Sequence, residues 1–436
     1  MSSLPSSGEP ESHDAYAALR HADFRLFVSA NFLSGIARTI LSVIVGWELY
    51  VRTDSALALG LVGLVQIIPN VVLALPAGAY VDRHDRKQIA TVSAAVNALA
   101  SLMLAILSFI EGPLVVIYAC LFVIGLARVF SSPTQGTLLA AVVPPSEYGN
   151  ASAWSSNIGQ LAMALGPAVG GFGVAIANDA AGPVFVAASV MLALASFFYS
   201  RLTPRPIALS KEPVSRDSLL AGIRFIRRTK VIFAAITLDM VAVLLGGATA
   251  LLPIFAEDVL HVGSTGLGVM RSAPAVGAIV TSFAIAHRGP FKRAGVTLLA
   301  TVAGFGFATI LFGSSRSMIL SLVALVLIGA FDSISVVIRT TLELAYTPDD
   351  MRGRVGAIHF LFIGMSNEFG EFESGVAAAI LGATTAVVVG GIGTLLVVPI
   401  IALVWPEVHR LREIRPIVEN EQRVEIADPP AVKSAS

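Results

Sequence analysis

The stretch Gly78-Ala-Tyr-Val-Asp82-Arg83-His84-Asp85-Arg86-Lys87 decides how this chain is read. An apolar run precedes it, interrupted by Gln66, Asn70, Pro69 and Pro76, and after Gln88 a second apolar run begins. Two membrane-length helices joined by so short a basic loop are antiparallel neighbours, with the loop on the cytoplasmic face. Gly78 falls where the first helix leaves the membrane, so another backbone could approach it closely. Asp82 among Arg83, Arg86 and Lys87 makes an ion-pair cluster able to hold two helix ends together and release them.

Composition supports a lipid-solvated chain. Hydrophobic residues make up 55% of the 436, and charged residues only 13%. A soluble domain carries about 25% charge, and the mean hydropathy here is +0.80. The single cysteine, Cys120, lies inside an apolar run, which leaves no disulfide framework and no cysteine-built metal site. No P-loop is present, so ATP is not the expected energy source, and the seven histidines have no metal-ligand spacing. Nothing here points to an enzyme, a nucleic-acid partner or a bound cofactor.

Working outward, about twelve spans are legible, near 24–50, 55–81, 88–110, 113–142, 152–177, 182–202, 231–256, 264–286, 293–314, 317–345, 353–382 and 384–406. The expected fold is an all-α polytopic membrane protein of two six-helix bundles, 24–202 and 231–406. A polar N-terminal tail (1–23), read as disordered, and a C-terminal tail (407–436) flank them. The central loop 203–230 contains Ser218-Leu-Leu-Ala-Gly-Ile-Arg224-Phe-Ile-Arg227-Arg228, an amphipathic pattern with a basic face suited to the membrane surface. Cations collect on one side: Arg83, Arg86, Lys87, the central loop, Arg288, Lys292, Arg293, Arg352, Arg354 and the tail from Arg410. The opposite loops hold little beyond Arg52 and Arg316, which places both termini in the cytoplasm of a cell (inner or plasma) membrane. A shift of about 205 residues carries Pro69 onto Pro274, Arg83 onto Arg288 and Lys87 onto Lys292, the mark of an internal repeat.

The fifth span contains Gly159, Gly166-Pro167 and Gly170-Gly171. Glycines at these spacings leave a helix face without side chains, and Pro167 favours a bend. Tight helix packing alone would account for them. The loop at Gly78–Lys87 resembles the G-x-x-x-D-R-x-x-R-K loop of the major facilitator superfamily, with Asp85 standing where a glycine is usual. The string Gly166-Pro167-Ala-Val-Gly170-Gly171 is similar to the antiporter signature of that superfamily's exporters. Leu251-Leu252-Pro253, Arg352-Gly353-Arg354-Val355 and Asn367-Glu368-Phe-Gly370-Glu371-Phe-Glu373 resemble the branch that contains the enterobactin exporter and related drug-efflux proteins.

What the resemblance implies is a monomeric secondary transporter. It would export amphipathic small molecules, drugs or siderophores, by alternating access, with the proton gradient as its energy source. Uptake by proton symport, or a non-transporting scaffold or sensor, are the alternatives. In the superfamily fold the first, fourth, seventh and tenth spans line a central cavity, and they carry Arg38, Arg128, Asp239 and Asp332. Charges at membrane depth cost several kcal/mol unless paired or wetted. Arg38 and Arg128 are therefore expected at the substrate, or clamped to Asp239 or Asp332 across the cavity. Glu368 and Glu371 lie one turn apart on the eleventh span. A carboxyl able to be neutral or charged near neutral pH is what proton coupling requires. Glu368, Asp332, Glu371 and Asp239 are the expected proton carriers, Glu368 first; a glutamate fixed in a helix–helix hydrogen bond is the plain alternative. By resemblance, Asp82 meets the end of the eleventh span near Arg354 in one state and leaves it in another. Glu48 with Arg52, and Arg339 with Glu343, are read as local pairs four residues apart.

Overall fold

Apolar runs of this length must satisfy every backbone N–H and C=O within the segment, and helices result. The computed structural model describes residues 14–205, 216–289, 291–348, 351–412 and 414, with side chains at all of these except 74, 75, 79, 82, 216–220, 353, 357 and 360. The first half contains α1 (Ala22–Thr53), α2 (Ala56–Arg83), α3 (Arg86–Phe109), α4 (Leu114–Val142), α5 (Tyr148–Ile176) and α6 (Gly182–Arg201). An amphipathic helix, α7 (Arg216–Arg228), leads to the second half. That half contains α8 (Lys230–Leu245), the short α9 (Leu252–Ile254), α10 (Gly263–Ala286), α11 (Ala294–Ser314), α12 (Met318–Tyr346), α13 (Arg352–Leu381) and α14 (Ala383–Val404). Among the described residues, 11 helices are long and apolar enough to cross a membrane. The 30-residue α13 has the length to be the twelfth, although it carries Glu368, Glu371 and Glu373.

The halves repeat one another in packing as well as in sequence. In the first, α1 packs on α5 and α6, α2 on α4, and α3 on α4 and α6. In the second, α8 packs on α13 and α14, α10 on α12, and α11 on α12 and α14, which is the same pattern. Pro69 and Pro274 lie inside the second spanning helix of each half. Large apolar side chains such as Ile176, Phe283, Ile319 and Leu403 point outward, 70% or more exposed, as a lipid-facing belt requires.

The seventh span is not the continuous helix expected over 231–256. It breaks after Leu245 at Gly246-Gly247, re-forms as a 3₁₀ turn (Ala248–Leu251) and continues through Pro253 into a π-helical turn (Phe255–Val259). Two glycines and a proline weaken the ladder, and α13 lies against the gap: a Cβ on Gly247 would sit 2.8 Å from Ser374 Oγ. Two further expectations need correction. Residues 14–21 are packed: the Ala15 carbonyl accepts from both Asn150 and Trp154 of α5 at 2.9 Å. Part of the apolar side of α7 faces protein, with Ile226 buried against Val355 and Ile358 of α13, while Ile223, Arg224, Arg227 and Arg228 stay exposed. Residues 1–13 and 415–436 lie outside the described residues.

Call the face bearing α7 and the α2–α3 turn the terminal face, and the other the far face. The halves meet through α2 on α13 and α5 on α10. At the far face that contact is backbone on backbone. A Cβ on Gly171 would lie 2.6 Å from Gly268 Cα, and one on Gly375 would lie 2.5 Å from Gly60 Cα. Tyr50 donates to Asp258, and Ser264 donates to Asp179 at 2.6 Å, adding polar links between the halves at the same level. Toward the terminal face the halves part, and a Cβ on Gly78 would have nothing within 4 Å. In this state no backbone among the described residues uses the room that Gly78 leaves, because α2 diverges from α13 beyond Asn70 and Gly364.

Candidate functional site

Between the halves lies a cavity of about 250 Å³. The helices of the first half supply most of its wall, through Ser34, Arg38, Ser42, Gln66, Asn97, Arg128, Ser131, Gln135 and Tyr199. The second half supplies Arg271 from α10 and Asn367, Glu368 and Glu371 from α13. Apolar side chains, among them Phe27, Leu41, Val62, Leu121, Ile124 and Leu138, fill the spaces between. A wall of this kind suits a molecule with an apolar body and a few polar groups.

Arg128 and Glu368 join the two halves inside this cavity, with Nη1 3.1 Å from Oε1. The Glu368 side chain is 8% exposed and that of Arg128 43%. Glu368 Oε2 is buried with no hydrogen-bond partner, so half of the carboxylate is unsatisfied. Glu371, one turn further along α13, shares the cavity with Arg271, and their charges act on each other. Arg271 also donates from Nη1 to the Thr249 carbonyl at 2.7 Å, in the broken part of the seventh span. Backbone freed at membrane depth needs such a partner, so this arginine both mends the break and lines the site.

Asp239 and Asp332 do not face Arg38 or Arg128, the arrangement expected of cavity helices. They border a separate pocket of about 10 Å³ within the second half, beside Thr301, Phe305 and Phe331. Arg339 takes both: it pairs directly with Asp239, and its Nη2 lies 3.9 Å from Asp332 Oδ1. Asp332 and Arg339 are two turns apart on α12 and so share a face, a spacing that the expected pairing with Glu343 obscures. Glu343 instead meets His359 Nδ1 of α13 at 2.8 Å. The Glu48–Arg52 pair is present at 3.5 Å, and Arg52 also donates to the Gly112 carbonyl.

The glycine stretch of α5 divides its faces between two partners. A Cβ on Gly166 would collide with the Thr39 side chain of α1, one on Gly170 would touch Ile40, and Gly171 meets α10. Pro167 presents its carbonyl to Gly268, whereas a Cβ on Gly159 would have nothing within 4 Å. In the basic loop, Asp85 caps α3 by accepting from the Lys87 N–H at 2.9 Å, which explains a carboxylate where a glycine is usual. Arg83 is exposed, Arg86 and Lys87 are half-buried, and Arg354 donates to Met351 Sδ at 3.2 Å. The Asp82 side chain lies outside the described residues. Among the described residues, no group of His, Cys, Asp or Glu could hold a metal ion.

Arg271 escapes a sequence reading that rests on the first, fourth, seventh and tenth spans. The signal is nevertheless present: an arginine within the eighth span costs as much as one in any other.

This geometry has parallels among known proteins. The chain is 24% identical over 405 residues to the enterobactin exporter EntS of Escherichia coli O1:K1 / APEC, covering 91% of this chain and 95% of that one. EntS of Shigella boydii serotype 18 is equally similar. Among solved structures, a bacterial homolog of the human lysosomal transporter Spinster, inward-facing and unoccupied, superposes with a TM-score of 0.72 at 13% identity, covering 91% of this chain and 98% of that one. The nucleoside transporter NupG superposes with a TM-score of 0.64 at 13% identity, covering 90% of this chain and 100% of that one. The family model for the Major Facilitator Superfamily matches residues 27–370. Two repeated bundles around a central cavity, matched by that model over most of the chain, make this protein a member of the Major Facilitator Superfamily, a family of transporters and not of enzymes.

Proposed function

We propose that this transporter is a proton-coupled exporter of amphipathic small molecules, and that the Arg128–Glu368 pair is its coupling element. The observation that carries the reading is the position of that pair, one partner from each half, on the wall of the cavity and 3.1 Å apart. Similarity to EntS, an enterobactin exporter, supports the outward direction. The cation-rich terminal face supports a cytoplasmic position for that face, so the cavity would receive substrate from inside while the far face is shut.

The chemistry follows from what can replace each partner. While Glu368 is ionised and held by Arg128, the empty carrier is tied across its halves and does not turn over. A substrate that engages either residue opens the tie and lets the halves rock. After substrate leaves to the outside, a proton on Glu368 keeps the tie open and permits the return, and its release to the less acidic cytoplasm restores the starting state. Asp332, Asp239 and Glu371 are secondary candidates for carrying the proton. A proton and a substrate bound together would move in one direction, which is the symport alternative; Arg128 and Glu368 are separate groups, so the geometry admits it.

Glu368→Gln mimics the protonated state. In proteoliposomes it should lose uphill, pH-driven efflux while retaining substrate binding and downhill exchange. Concentrative transport at the wild-type rate by that variant would make Glu368 structural and refute the assignment.

A further inference from the structure

Arg38 is the one arginine of the cavity that no acid answers among the described residues. Arg128 is held by Glu368, and Arg271 donates to Thr249 and feels the charge of Glu371. The groups acting on Arg38 are Arg128, of like charge, and Tyr199. The Arg38 side chain opens onto the cavity rather than onto lipid. The cavity wall also holds Ser34 and Asn97, whose hydroxyl and amide N–H can donate hydrogen bonds. Two guanidiniums that line one cavity, one lacking a counter-charge among the described residues, are a ready-made seat for an anion.

We propose that the cavity selects amphipathic molecules bearing a carboxylate or comparable anion. The anion sits on Arg38 and Arg128, and the apolar body lies against Phe27, Leu121 and Leu138. This rests on the transporter reading above and names its substrate class. By taking Arg128 the anion displaces Glu368, which is how the substrate opens the tie between the halves. An anion leaving in exchange for an entering proton moves two unit charges in the same electrical sense. An inside-negative potential would then drive export together with the pH gradient.

The test uses 2-naphthoate, its neutral counterpart 2-naphthamide and the cation 2-naphthyltrimethylammonium, with the purified full-length protein and isothermal titration calorimetry near pH 7.5. Naphthoate should bind at least tenfold more tightly than naphthamide. Arg38→Gln should remove that advantage, about 1.4 kcal/mol for tenfold, while leaving naphthamide within twofold. Arg38→Lys should restore part of it, which guards against a merely misfolded variant. Glu368→Gln should tighten naphthoate, because Arg128 is then free. Equal binding of naphthoate and naphthamide, preference for the cation, binding of none of the three, or equal loss of both ligands in Arg38→Gln would overturn the proposal. So would displacement of naphthoate by phosphatidylglycerol at equal concentration, which would make a lipid headgroup the occupant. Flux separates this from the parent reading. Proton-driven export of the neutral or cationic probe would sink the anion site and keep the exporter. Tight Arg38-dependent binding of naphthoate that moves with the proton, or not at all, would keep the site and sink the exporter.

Discussion

Gly171→Ala should push the transporter out of the state described here. A Cβ at that position falls 2.6 Å from Gly268 Cα, 2.6 Å from the Ser264 carbonyl oxygen and 2.7 Å from Gly268 N. Carbon–carbon contacts relax at about 3.5–4.0 Å, so roughly 1 Å must be found. The obstructing atoms are backbone, and no rotamer change supplies that space; α5 and α10 must part. Overpacking of this kind costs about 1–3 kcal/mol. Because α5 and α10 belong to different halves, the penalty falls on the far-closed state alone, a population shift of roughly 5- to 150-fold.

The measurement is accessibility from the far face. In a Cys120→Ala chain carrying Ser42→Cys, a membrane-impermeant maleimide is added on the far side of sealed vesicles. Ser42 lines the central cavity and also the smaller space beneath the far-face contact. Labelling should accelerate by the factor above in Gly171→Ala. It should stay unchanged in Gly159→Ala, where an added Cβ meets nothing within 4 Å. Wild-type labelling in a folded Gly171→Ala protein would show that α5 and α10 do not separate during the cycle, and the rocking argument would fail with it.

The converse substitution, Gly78→Val, has open space in this state and should slow far-face labelling of the same cysteine if α2 and α13 close at the terminal face. Tyr50→Phe removes a hydrogen bond to Asp258 between the halves, so far-face labelling should rise roughly 10- to 150-fold, since bonds to charged groups contribute about 1.5–3 kcal/mol; no change would leave the seal to the glycine contacts and the Ser264–Asp179 bond. Arg339→Met strands Asp239 in the core of the second half and should destabilise by about 3–5 kcal/mol, read as a lowered melting temperature in detergent. Replacing Asp239 with Leu as well should recover much of that loss, and a double variant no more stable than the single one would refute the pairing.

Much of the fold could be read from sequence because membrane-length apolar runs leave the backbone few options. Each expected boundary falls close to its helix, and the seventh span departs because periodicity carries no information about where Gly246-Gly247 and Pro253 interrupt a ladder. The site was legible in its residue types and less so in their pairings. Arg38, Arg128, Glu368 and Glu371 could be picked out because charge at membrane depth is expensive wherever it lies. Their partners depend on helix rotation, which the sequence does not contain: one turn of α12 decides whether Arg339 serves Glu343 locally or Asp239 on α8. The near-equality of the two halves is also misleading. It suggests a cavity walled evenly by both, whereas the first half supplies most of the wall.

That asymmetry separates two of the interior ion pairs by what they can do. Arg339 and Asp239 are 4% and 12% exposed and lie within one half, so rocking need not disturb them and water cannot replace either. Such a pair fixes helices in place; removing one partner leaves a charge stranded. Arg128 is 43% exposed to the cavity while Glu368 is 8% exposed, and they belong to different halves. The wet arginine can be handed to an arriving anion or to solvent at modest cost. Among the described residues no second cation pairs with the dry carboxylate, and a proton is the remaining way to neutralise it. Exchangeability on one side of the pair and its lack on the other is what a coupling element needs, and on this ground we propose Arg128–Glu368 as the moving charge and place Asp239, held by Arg339, behind it as a proton carrier.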